Sequence, residues 1–149
     1  MKNKFNKETS QRPEGDRLLD ASVVTIDLPL FIKQIKQEAS WKDSDRNSMT
    51  VFKTAGMSIV LIGLHMGAEM IKHKAEGIIS VQILEGQIKF TTDLQSVELG
   101  QGQMRTLHER IPHSILAIKE TFFLLTLAIS TVKWKPYDPI LLSDKKRSV

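Results

Sequence analysis

The side chains best suited to chemistry in this 149-residue chain are four imidazoles, His65, His73, His108 and His113; there is no cysteine. Without thiols, disulfide staples and thiolate catalysis are excluded, and cysteine usage leaves the redox compartment undetermined. Imidazole with a carboxylate and open positions suits a divalent iron, manganese, zinc or nickel ion, and a catalytic site commonly needs about three protein ligands. Glu69 and Glu76 lie near His73 in sequence, but acid–base work requires one of them within hydrogen-bond reach of a substrate. Glu76 flanks Gly77 in a turn-like segment, as Glu109 and Arg110 flank His108, so solvated side chains are expected there. Neither a phosphate-cradling glycine-rich loop nor a serine nucleophile elbow occurs.

Strands must position these groups. From Met49 onward the pattern is that of short β-runs: SMTVFK, MSIVLIGLHM, ISVQILEGQIKF with a Glu85-Gly86 hairpin turn, VEL, MRTL, SILAIK and TFFLLTLAI. Roughly eight such strands without a long intervening helix favour a sandwich, jelly roll or barrel. Ahead of them, LLDASVVTI reads as a strand. Asp27 then caps a short helix near residues 28–38, with Pro29 in its first turn and Leu28, Phe31, Ile32 and Ile35 on one face. WKDSDRNS reads as a polar loop. Met57, Met66, Met70 and Met104 are expected to fill the core. His65 alternates with Leu61 and Gly63, opposite the apolar Val60, Ile62, Leu64 and Met66. It should therefore point away from the interior, toward a candidate intersubunit surface.

The net charge of +4 is unevenly placed. Residues 1–17 carry +2 and residues 133–149 carry +3, which leaves the middle of the chain close to neutral. A nucleic-acid partner needs positive charge gathered on a folded face, so none is expected. The apolar run Phe122–Ile129 is too short to cross a bilayer, and the basic N-terminus has no apolar run of a secretory leader. No membrane partner and a cytoplasmic location are the expectations. The domain is expected over 17–132, with a disordered tail at 1–16 and a C-terminal extension at 133–149 that is partly disordered, beyond Asp144. In that extension Trp134, Tyr137, Ile140, Leu141 and Leu142 are candidates to fasten onto the barrel or a partner subunit.

Two spaced motifs give the pattern a family. GAEMIKHKAEGIISVQILEG resembles the first cupin motif, with Gly67, His73 and Gly86 at the matching positions. GQMRTLHERIPHSILA resembles the second, aligning Gly102 and His113. The chain departs from both motifs where metal is held. Ala75 replaces a histidine, Ile79 replaces the glutamate, and His108, Arg110 and Ala117 stand where the family has proline, glycine and asparagine.

The resemblance implies a mainly β protein, a double-stranded β-helix or jelly-roll barrel with a short N-terminal helix, and a homodimer. It implies that His73 and His113 approach each other in a pocket walled by Ile79, Val81 and Ile83. Two imidazoles in an apolar cup suit a small polar or anionic ligand, held without catalysis or metal, and no cofactor is expected. The alternative is a metal-dependent enzyme of dioxygenase or isomerase type, using His73 and His113 with His108 as an unorthodox third ligand. A third possibility is a barrel that chiefly supports dimerisation, its two histidines being hydrogen-bonded remnants.

Overall fold

Burial alternates along the strands as a two-sided sheet requires. In Ile78–Glu85, Ile79, Val81 and Ile83 are buried while Ile78, Ser80 and Gln82 between them are partly exposed. The computed structural model describes residues 3–6 and 17–129. Within them lie β1 (Lys4–Asn6), β2 (Arg17–Asp20), α1 (Leu28–Gln37), α2 (Ala39–Asp43), β3 (Arg46–Lys53), β4 (Met57–Leu64), β5 (Glu69–His73), β6 (Ile78–Glu85), β7 (Gln87–Thr92), β8 (Ser96–Gly100), β9 (Met104–Leu107), β10 (His113–Ala117) and β11 (Thr121–Ala128). Every pairing among them is antiparallel.

Two sheets form the body, one ordered β3-β4-β11-β6-β9 and the other β5-β10-β7-β8. Ile62, Leu64, Ile79, Val81, Ile83 and Phe123 from the first meet Ile88, Phe90, Leu99, Ile115 and Ala117 from the second in one apolar core. This is the mainly β jelly-roll barrel that the strand pattern and the motifs imply. A second core lies on the outer face of the larger sheet. There α1 and α2 bring Ile32, Ile35 and Trp41 against Met49, Val51, Leu61 and Phe122. Helix α1 starts where expected: the Asp27 carboxylate accepts from Leu30 N at 3.1 Å, and Pro29 sits in the first turn. Gly63 lies opposite Phe122 in the β4–β11 register, and a side chain there would collide with the Phe122 and Trp41 rings.

Several local expectations are corrected. Glu85-Gly86 does not close a hairpin, because β6 and β7 belong to different sheets. It is a corner: Gly86 has φ +93°, and a side chain there would run into the Glu120 carbonyl. WKDSDRNS is not a loop, since burial of the Trp41 indole folds Ala39–Asp43 into a helical turn and Arg46 already begins β3. In LLDASVVTI only the start is strand; Val23 is exposed. Lys4–Asn6, placed in a tail expected to be disordered, pairs with β2. Strand β2 in turn lies along the edge strand β3, where the Arg17 guanidinium donates to the Thr50 carbonyl at 2.8 Å. Met57, Met66 and Met104 are exposed rather than core, while Met70 packs against the inner core. Trp134, Tyr137, Ile140, Leu141 and Leu142 lie outside the described residues.

Candidate functional site

The register of the smaller sheet decides which imidazoles meet. His113 opens β10 with His73 of β5 as its Cα partner on one side and Thr92 of β7 on the other. The two rings are 4.4 Å apart between centroids and inclined by 58°. His113 is 3% exposed and lies parallel to the Phe90 ring at 5.6 Å, whereas His73 is exposed. The turn leading into β10 is pinned by Arg110 N donating to the Ala75 carbonyl at 2.8 Å. Arg110 holds φ +59° there, a left-handed conformation that glycine adopts without cost.

Both rings are oriented by the same device. His73 Nδ1 is 2.9 Å from the Ile71 carbonyl, and His113 Nδ1 is 2.9 Å from the Ile111 carbonyl, two residues back in each case. A carbonyl oxygen only accepts, so Nδ1 carries the hydrogen in both. In the neutral form of either ring the lone pair is then on Nε2, which has no hydrogen-bond partner among the described residues. Burial pushes the His113 imidazole below its ordinary range, with the neighbouring His73 adding to the shift and the Ile111 carbonyl opposing it. Neutral His113 is therefore favoured, with an acceptor at its free end.

The other expected wall residues are placed on the inner face but not at an open surface. Val81 and Ile83 are 0% exposed and Ile79 is 4% exposed, so they are packed core. Ala75 also packs against that core. His108 is an exposed loop residue with Nδ1 3.9 Å from Glu109, and among the described residues no three His, Cys, Asp or Glu side chains form a metal-holding group. Two imidazoles without a carboxylate fall short of the donor set that a catalytic divalent ion commonly takes. The residues present do not fit a metal centre of the kind that the motifs describe. Glu69 and Glu76 are exposed.

His65 does point away from the barrel interior, but into its own chain. It stacks on Trp41 at 3.6 Å, and its Nε2 is 2.7 Å from the Trp41 carbonyl. One residue near the pair escaped the sequence pattern. Arg105 of β9 faces Val81 of β6 across the register and so shares the inner face, with its guanidinium 5.6 Å from the centre of the Phe90 ring. The only sequence signal was its alternation with Leu107, which packs on the core.

A cavity of about 350 Å³ opens elsewhere, between α2, β3 and β5, over Ile62, Leu64 and Met70. Neither His73 nor His113 lines it. Its polar rim is engaged internally: Arg46 donates to the Asp45 carboxylate and the Glu69 carbonyl, and Asn47 Nδ2 donates to the Glu38 carboxylate.

Comparison with solved structures settles the architecture. A cupin superfamily protein from Desulfitobacterium hafniense superposes with TM-score 0.56 at 20% identity, covering 57% of this chain and 78% of its own. An RmlC-like cupin with a double-stranded β-helix fold from Methanocaldococcus jannaschii gives 0.53 at 20% identity, covering 58% and 84%. The chain has the cupin fold. A conserved protein of unknown function from Streptococcus pyogenes covers more of this chain, 76% of it and 93% of its own length, with TM-score 0.58 at 21% identity. No family model and no curated protein matches the sequence. Among the described residues of this chain, no helix is long and apolar enough to cross a membrane.

Proposed function

We propose that this protein binds a small polar molecule at the His73–His113 pair without a metal ion. The observation that carries the proposal is the shared orientation of the two rings, each with Nδ1 bound to a backbone carbonyl and Nε2 left as an acceptor. His113 supplies a rigid, buried acceptor against Phe90, and His73 supplies an exposed one beside it. Barrel mouths are common ligand sites because a rigid wall there can present a few polar groups. A homodimer is part of the proposal, on the resemblance alone.

Untagged protein analysed for metals is expected to hold no stoichiometric transition metal. A metabolite screen followed by histidine side-chain NMR should find ligands that move the Nε2 resonances of His73 and His113 together. Stoichiometric metal that disappears in the His73→Ala, His113→Ala double variant would instead establish the metal-dependent alternative.

A further inference from the structure

We infer that the ligand of this pair is a short hydroxy acid, its hydroxyl donating to Nε2 of His113 beside His73 and its carboxylate or phosphate paired with Arg105. The inference rests on the two-histidine site proposed above and adds the chemical class of what fills it. Neutral imidazoles bonded through Nδ1–H can only accept at Nε2, so the ligand must bring a hydrogen there, as a hydroxyl does. Arg105 brings the opposite requirement. Its only partner among the described residues is the Phe90 ring, and no carboxylate pairs with it.

Geometry joins the two demands. The His113 ring and the Arg105 guanidinium each lie 5.6 Å from the centre of the Phe90 ring, so they are no farther apart than twice that distance. A molecule with a few carbons between its hydroxyl and its anionic end spans such a gap. Arginine on the inner face, opposite the fully buried Val81, is an expensive choice for a position that only needed packing. A guanidinium held over a ring keeps its planar fork free for bidentate pairing with a carboxylate or phosphate.

The test uses the full chain and four probes: 4-hydroxybutyrate, glycerol 3-phosphate, 4-hydroxybutanamide and butyrate. Binding is followed through the Arg105 Nε–H and the histidine ring resonances. At least one of the two hydroxylated anions should bind and move Arg105, His73 and His113 together; which one does so separates a carboxylate from a phosphate ligand. The amide should bind about tenfold more weakly or worse, as expected when a charge-assisted hydrogen bond is lost. Arg105→Gln should abolish that preference for the anion, and Arg105→Lys should restore part of it. If the amide binds as well as the acid and still moves both histidines, the two-histidine site stands and the anion inference falls. If no probe moves the histidines, the hydroxy-acid assignment falls, while the two-histidine site is decided by the metal analysis and metabolite screen above. Butyrate binding as tightly as 4-hydroxybutyrate would remove the hydroxyl requirement and overturn the assignment.

Discussion

His65 follows β4 on the outer face of the larger sheet, the His73–His113 pair belongs to the smaller sheet, and the ring nitrogens of the two sites are treated differently. His65 has Nε2 bound to the Trp41 carbonyl at 2.7 Å, the Glu120 carboxylate 3.5 Å from Nδ1, a contact that is an ion pair only when the ring is protonated, and its face covered by the indole. His73 and His113 each have one nitrogen occupied and one open. An imidazole stacked on one face and flanked at both nitrogens is a strut; one aimed by a backbone carbonyl with its other nitrogen open is an offer to a ligand. The outer face of the large sheet is accordingly where stability is expected to be concentrated, and the inner end of the small sheet is where we propose that a ligand binds.

The largest effect that would sharpen this contrast is Trp41→Ala. The indole is 6% exposed, stacks on His65 and lies 5.1 Å from the Phe122 ring over Gly63. Its removal empties the centre of the outer core and should cost about 3–5 kcal/mol. Urea unfolding should show a large drop in midpoint while ligand binding by the remaining folded protein is unchanged. A loss below about 1 kcal/mol would show that the helices are decoration on the barrel and not its outer core.

A smaller effect should separate the histidines directly. His65→Ala removes the stack and orphans the Trp41 carbonyl, with an expected cost of about 1–2 kcal/mol. His73→Ala removes an exposed ring whose only hydrogen bond is to a local carbonyl, and should stay within about 0.5 kcal/mol. If the His73 variant is as destabilised as the His65 variant, the pair is structural and the contrast collapses.

Much of this arrangement was legible beforehand, for definite reasons. Strand alternation put Ile79, Val81 and Ile83 on one face, and it put His65 on the face opposite Ile62 and Leu64; both follow from a period of two. The pairing of His73 with His113 followed from motif spacings, since Gly67, Gly86 and Gly102, all at positive φ, mark where the chain turns. What alternation cannot convey is which sheet a strand joins. Glu85-Gly86 has the composition of a hairpin turn and forms a corner, because the choice is made by strands distant in sequence. Helix α2 was hidden for a related reason: one buried tryptophan in a polar segment has no period. Arg105 was missed because a lone cation in a short strand reads as solvated until the register puts it opposite Val81.

The finest distinction is in how stability depends on pH. His113 is buried, and its folded-state affinity for a proton is lowered chiefly by that burial. The unfolded chain takes up a proton at this residue as pH falls through about 6.5, the ordinary histidine value. The native state takes it up only at lower pH, so in that window the unfolded state binds more protons and stability falls with falling pH. Above the ordinary value both states are neutral and His113 contributes no slope. Substituting His113→Asn removes the titration while keeping a side-chain N–H to offer the Ile111 carbonyl. Urea midpoints at pH 7.5 and pH 5 should therefore drop more in the parent protein than in the variant, the carboxylates and other histidines being common to both. Equal drops would mean that His113 is readily protonated in the folded state. The acceptor at its Nε2 would then become a donor in mild acid, and the side of the barrel described here as open would prefer an anion at the histidines themselves.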